Sequence, residues 1–305
     1  MSKIEKALEK AVKMREDKNR VRRPDATPHT GSDRSPDLSL NQITLPKFEI
    51  GESVIDPAAV DKYIVCITEP LSSATEQYKK LRVRILKATE KDFLNTIMVT
   101  SPDIGDGKTI TAINLAVAIA NEIDHTVLLV DTDLRNPFIH KYLGIESRYG
   151  LSDYLKGEAE LSNILIRTGI GKLVFLPGGN PPENAAELLS SEKMKRLVHE
   201  MKLRYKDRYI IFDSSPVLIA ADSLSLGSYM DGIVFVIQAA RTSEKAAEQA
   251  ISLMKGCNIL GIVFNNVPQY LAKSLYPYYY HYGYKRDEYF KKSNSGKKGN
   301  VEKKS

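Results

Sequence analysis

The chain has 305 residues, 42% of them hydrophobic and 27% charged, with 18 Gly, 14 Pro and no Trp. That composition excludes a collagenous or wholly disordered chain, and the length allows one large domain with tails. No stretch is apolar for long enough to cross a bilayer, and MSKIEKALEKAVKMRE lacks the apolar core of a secretory leader, so a cytoplasmic protein is expected. The net charge of +6 divides into +5 on residues 1–23, +5 on residues 285–305 and −4 on the stretch between. The basicity therefore lies in the two ends, and nucleic acid is not an expected partner. Cys66 and Cys257 stand far apart, which gives neither a disulfide framework nor a zinc site.

Residues 1–20 are expected to form a short amphipathic helix, with Ile4, Ala7, Leu8, Ala11 and Val12 on one stripe. Residues 21–58, rich in Pro, Ser, Asp and Thr, are expected to be a linker. From 59 to 268 short apolar runs alternate with helical segments. The expected strands are Tyr63–Ile67, Thr96–Thr100, Thr126–Val130, Leu173–Leu176, Tyr209–Phe212, Ile233–Ile237 and Ile259–Phe264. The expected helices are Ala74–Thr89, Thr109–Asn121, Ala185–Leu203 and Ser243–Lys255. Continuous apolar strands separated by helices predict an α/β fold, doubly wound, with a mostly parallel sheet covered by helices on both faces. In such sheets a ligand sits at the carboxyl ends of the strands.

Two kinds of strand end carry chemistry. TIMVTSPDIGDGKTITAINLA, residues 96–116, reads as a strand, a glycine-rich turn and a helix. Glycines let backbone amides turn onto phosphate oxygens, and the helix N-terminus adds a favourable dipole. Gly105, Asp106, Gly107, Lys108, Thr109 and Ile110 are the expected nucleotide-binding residues. Lys108 would neutralise phosphate charge and the Thr109 hydroxyl would bind magnesium. Pro102 stands where the general P-loop pattern has its first glycine. VLLVDTDLRNP ends a second strand in Asp131 and Asp133, and YIIFDSSP ends a third in Asp213. Acids capping the next helices would explain each cluster singly, but together with the glycine turn they point to a magnesium–phosphate site. Asn265, directly after GIVF, is expected at a nucleobase or in a turn.

GDGKT, VDTDLRNP and FDSSP, in this order, resemble the Walker A, A′ and B motifs of the bacterial tyrosine kinases, the autokinases of exopolysaccharide synthesis and export. The resemblance spans about residues 63–290 and includes GLSDYLKGE and LPGGNPPENAAELLSS. It implies a P-loop fold, ATP and Mg2+ as cofactors, and a protein-tyrosine autokinase. Thr109, Asp133 and Asp213 would hold the metal, and Lys108, Asp131, Asp133 and Asp213 would act on phosphoryl transfer, with Asp131 as proton acceptor. EQYKKLR, residues 76–82, is similar to the family's oligomerisation motif, with Glu76, Lys79 and Arg82 on one helical face and lysine at the middle basic position.

Residues 269–305 form a tyrosine-rich and basic tail. Tyr276, Tyr278, Tyr279, Tyr280, Tyr282, Tyr284 and Tyr289 lie there beside Pro277 and Gly283, a poor core element but a suitable substrate. The resemblance implies that one subunit's tail enters a neighbour's site in a ring. It also implies a separate membrane-embedded activator of the polysaccharide chain-length type, which would hold the kinase at the inner membrane. The alternatives are an ATPase switch of the partitioning or septum-positioning type and a non-catalytic scaffold. The first resembles this fold but carries a second loop lysine where Asp103 stands.

Overall fold

Asp131 and Asp213, distant in sequence, are cross-strand neighbours because the strands they end run side by side in one parallel sheet. The computed structural model describes residues 51–52, 55–204 and 207–268. Eight strands form the sheet: β1 (Gly51–Glu52), β2 (Thr96–Thr100), β3 (Thr126–Asp131), β4 (Ile166–Arg167), β5 (Leu173–Leu176), β6 (Arg208–Asp213), β7 (Gly232–Gln238) and β8 (Ile259–Asn265). Their order is β1-β4-β5-β3-β6-β2-β7-β8, and every pairing is parallel except β4 with β5.

The helices are α1 (Val65–Thr68), α2 (Ser73–Thr89), α3 (Lys108–Ala120), α4 (Ile139–Tyr142), α5 (Leu151–Lys156), α6 (Leu161–Ile164), α7 (Ala185–Ser190), α8 (Glu192–Arg204), α9 (Asp222–Gly227) and α10 (Glu244–Leu253). They leave two apolar layers, one on each face of the sheet. Ile97, Val99, Ile113, Leu129 and Ile211 belong to one layer; Met98, Leu128, Val130, Phe212 and Phe235 belong to the other. That is the alternation expected of strands buried on both faces. Helix α3 is buried from Thr111 to Ala120, all round rather than on one stripe, as a helix enclosed within a domain should be.

Three expectations are corrected by the structure. Tyr63–Ile67 is not a strand: Val65–Thr68 makes one helical turn. Its Cys66 amide donates to Asn114 Oδ1 on α3 at 2.9 Å, and the Thr75 hydroxyl donates to the Val65 carbonyl at 2.9 Å. A short apolar run fits either state, and these anchors select the turn. Ala185–Leu203 is two helices, broken at Ser191, which is extended with ψ at 153°. The Ser191 hydroxyl donates to the Leu188 carbonyl and accepts from the Met194 amide, so it closes one helix and opens the next. The C-terminal end of the expected linker is structured: Gly51–Glu52 pairs with β4, Ile55 is buried, and its amide donates to the Thr168 carbonyl at 3.1 Å. The expected helix over 1–20 and the tyrosine-rich tail over 269–305 lie outside the described residues.

Asp231 fixes the amino ends of β2 and β7. Its Oδ2 accepts from the Asn95 amide at 3.1 Å, the Thr96 amide at 3.1 Å and the Thr96 hydroxyl at 2.8 Å, and Lys202 pairs with its Oδ1. Asp231→Ala is expected to cost about 3 kcal/mol in urea unfolding, because three donors lose a charged acceptor together. A cost under about 1 kcal/mol would show that water replaces the carboxylate.

Candidate active site

The carboxyl ends of β2, β3, β6, β7 and β8 meet at one edge of the sheet, and the motif residues converge there. Thr100 leaves β2 into the loop 101–107, and Gly107, left-handed at φ 94°, caps α3 directly before Lys108. Asp106 is 1% exposed and turns its carboxylate inward: Oδ2 accepts from the Asp103 amide at 3.0 Å, and Oδ1 accepts from the Thr242 hydroxyl at 2.6 Å. Asp106 therefore shapes the loop from within and does not face a ligand.

Lys108 crosses from the loop to both acid clusters. Its ammonium donates to Asp133 Oδ2 at 2.9 Å and to the Thr109 hydroxyl at 3.1 Å, and stands 3.8 Å from Asp213 Oδ1. Burial alone would lower the lysine's pKa, but Asp213 and Asp133 together outweigh it and the net shift is upward. Ser215 donates to Asp133 Oδ1 at 2.8 Å, while the Thr132 amide and hydroxyl both donate to the Asp213 carbonyl. The loops after β3 and β6 are thereby laced together.

The three carboxylates differ. Asp131, the expected proton acceptor, is fully buried, and its oxygens accept the amides of Asp133, Phe138 and Ile139 at 3.3, 3.0 and 3.2 Å. It holds the β3 loop and the start of α4. Burial, then Asp213 alongside it, raises its pKa well above the usual carboxylate range. Asp213 is pushed up to about 6, mainly by burial and against the pull of Lys108. Its Oδ1 is buried with no hydrogen-bond partner. Asp133 is the member that retains some surface, at 7%.

A hard divalent cation suits that donor set. The orphaned Asp213 oxygen, Asp133 and the Thr109 hydroxyl are oxygen donors gathered around the Lys108 ammonium. Among the described residues no group of three or more His, Cys, Asp or Glu is arranged to hold a metal unaided, so such a cation would share phosphate oxygens. Ile110 stands in the first turn of α3 behind Thr109. Asn265 donates from Nδ2 to the Asp106 carbonyl at 3.0 Å, so its amide serves the loop.

Sequence reasoning missed two arginines and a threonine. Arg135 forms a two-pronged pair with the buried Asp222, at 2.8 and 3.1 Å, just beyond Asp133. Arg241 donates to the Ile104 carbonyl at 3.0 Å, and Thr242 holds Asp106. Contacts to backbone carbonyls have no residue-type signature, although the R-N-P after Asp133 was visible. On α2, Lys79 pairs with Glu76 at 2.8 Å within the helix, whereas Arg82 turns to Glu122 at 2.6 Å and the Ala118 carbonyl at 3.1 Å. The three expected assembly residues are thus near one another, but Arg82 is engaged by its own chain.

Residues 97–285 match the CobQ/CobB/MinD/ParA nucleotide binding domain. Over 223 residues the chain is 35% identical to the tyrosine-protein kinase YwqD of Bacillus subtilis, covering 72% of this chain and 92% of that protein. It is 29% identical to the tyrosine-protein kinase wzc of Salmonella typhi over 227 residues, which are 73% of this chain but 31% of that longer protein. Among solved structures, the kinase domain of Escherichia coli tyrosine kinase ETK superposes with a TM-score of 0.64 at 28% identity, covering 68% of this chain and 80% of that one. With the P-loop, the paired strand-end acids and these relatives in agreement, the chain belongs to the bacterial tyrosine-protein kinase family and carries that family's P-loop nucleotide-binding domain.

Proposed function

We propose that the protein is an ATP-dependent protein-tyrosine autokinase that phosphorylates its own tail tyrosines between subunits and thereby regulates exopolysaccharide synthesis or export. The observation that carries this reading is Lys108 held between Asp133 and Asp213 at the mouth of a glycine-rich loop. Lysine and loop amides offset charge on a transferring phosphoryl group, and such transfer depends mostly on positioning and electrostatics. Thr109, Asp133 and Asp213 would hold Mg2+, which when bound supplies charge neutralisation on the phosphates.

In the transfer, the phenol oxygen forms a bond to the γ-phosphorus as the bond to the β–γ bridging oxygen breaks, and ADP leaves. The phenol has a pKa near 10, so its proton needs a carboxylate at neutral pH. Asp133, in place of the Asp131 expected from the sequence, has the surface to meet it, while Asp131 is buried and holds the loop from behind. The acceptors are Tyr276, Tyr278, Tyr279, Tyr280, Tyr282, Tyr284 and Tyr289 of a neighbouring subunit in a ring, assembled through the α2 face that carries Glu76, Lys79 and Arg82. Each phosphate adds about −1.5 to −2 charges, which repels a tail from a site lined by acids and loosens the ring. A separate membrane-embedded activator brings the kinase to the cytoplasmic face of the inner membrane. No helix among the described residues is long and apolar enough to cross a membrane.

Lys108→Met is expected to abolish phosphotyrosine formation from ATP and magnesium with the fold retained by circular dichroism. Near wild-type activity would overturn the assignment. Truncation after Leu275 is expected to remove self-phosphorylation yet leave an enzyme that phosphorylates the tail of a Lys108→Met partner. Mass spectrometry that found phosphate confined to residues before Leu275 would contradict the tail as substrate.

A third expectation concerns stability. Asp213 has a folded pKa of about 6, above its unfolded value, so its protonated form favours folding and that contribution is lost as pH rises from about 4 through 6. Asp213→Asn, which never ionises, is expected to be more stable than wild type by about 1–3 kcal/mol at pH 7.5 and no more stable at pH 4. Denaturant melts at the two pH values measure the difference, and equal stability at pH 7.5 would show the carboxylate is not strained.

A further inference from the structure

Two side chains hold the glycine loop by its carbonyl oxygens. Arg241 donates to Ile104 O at 3.0 Å, and Asn265 donates to Asp106 O at 3.0 Å. In a trans peptide unit the carbonyl and the following N–H point in opposite directions, and no peptide bond among the described residues is cis. With the Ile104 and Asp106 carbonyls drawn towards the ends of β7 and β8, the amides of Gly105 and Gly107 point the other way. Those two amides donate to no described residue, whereas the Asp103 and Ile104 amides are consumed by Asp106 and Asp103 carboxylates.

We propose that Arg241 and Asn265 are positioning residues that aim the Gly105 and Gly107 amides at the phosphates of a bound nucleotide, with Thr242 fixing the loop between them through Asp106. The proposal rests on the nucleotide-binding reading of this loop and assigns its preorganisation to the turn after β7. The Thr242 hydroxyl is itself oriented, because it accepts from the Gln238 amide at 2.8 Å while donating to Asp106. Ala239 then donates to the Asn265 carbonyl at 2.9 Å, which ties the turn to β8. Within this turn Ala240 has φ 59°, a left-handed conformation that an alanine adopts at a cost. That cost brings Arg241 back over the loop.

Both donors lie against the glycines themselves. A Cβ on Gly105 would lie 2.2 Å from Arg241 Nη1, and one on Gly107 would lie 1.9 Å from Asn265 Nδ2. Both glycines also have positive φ, 83° and 94°. Backbone conformation therefore favours glycine at both positions, and a side chain there would displace the two donors.

Isothermal titration of the full chain with Mg-ADP tests the assignment on Arg241→Met, Arg241→Lys, Thr242→Val, Thr242→Ser and Lys108→Met. Arg241→Met and Thr242→Val are each expected to weaken Mg-ADP binding about tenfold, with Thr242→Ser within about twofold of wild type. Arg241→Lys keeps a donor but loses the planar fork, so an intermediate affinity is expected. KM for ATP should rise by more than kcat falls in Arg241→Met, as positioning of a binding loop requires. Arg241 is exposed, so its methionine variant leaves no core void and remains testable if Thr242→Val does not fold. Wild-type affinity in Arg241→Met, with binding lost in Lys108→Met, would overturn the proposal alone. Wild-type affinity in Lys108→Met would overturn the nucleotide reading beneath it.

Discussion

The ion triad of Lys108, Asp133 and Asp213 is the constraint from which the rest of the site follows. Parallel pairing places Asp131 beside Asp213 at the ends of two strands buried on both faces. Asp133 stands two residues further on. Burial first, and then repulsion among three carboxylates gathered at one edge, make ionisation costly, so Asp131 and Asp213 are shifted upward. The ammonium of Lys108 offsets part of that repulsion. It can do so because α3 begins where the loop delivers it, and α3 is fixed by ten consecutive buried residues. A residue proposed to meet phosphates is thus parked against acids. A nucleotide that recruits the lysine would expose the carboxylates to one another unless a cation accompanied it, so the same geometry that stores repulsion favours joint arrival of phosphate and metal.

How much of this is legible in the sequence depends on whether a residue's role leaves a mark on its own neighbourhood. Asp131 and Asp213 do, because a run of four or more apolar residues ending in acid has few structural explanations. Lys108 does, because Gly105 and Gly107 lead into it. Arg241 and Thr242 do not: they act on a carbonyl and a carboxylate 137 and 136 residues earlier, and a turn reading A-A-R-T-S resembles any helix approach. The roles within the acid set were also hidden. Spacing shows that Asp131 and Asp133 are two apart, but only the backbone path of residues 132–139 turns one inward onto amides and leaves the other beside lysine.

The fold was legible in the same uneven way. Fully buried strands announce themselves as continuous apolar runs, and β2, β3, β6 and β7 are of that kind. Two-residue strands such as β1 and β4 carry no period at all. The break at Ser191 was hidden because serine is neutral within a helix and strong as a cap, so its effect depends on whether Leu188 and Met194 are placed to use its hydroxyl.

Helix α2 shows how an assembly face and a phosphate site come to share a frame. Arg82 sits on the proposed oligomerisation face, yet its guanidinium reaches the Ala118 carbonyl and Glu122 at the carboxyl end of α3. A cation there also favours the helix dipole. The amino end of the same helix carries Lys108 and Thr109. Asn114, midway along, accepts from Cys66 and donates to the Tyr63 carbonyl, so α1 is pinned to α3 as well. One buried rod therefore joins the surface expected to meet a neighbour to the loop expected to meet phosphate. A displacement of Arg82 by a neighbouring subunit would have to break its contacts with α3 first. For that reason an arginine at this position need not be a free contact waiting for a partner: it is already part of the support of the site.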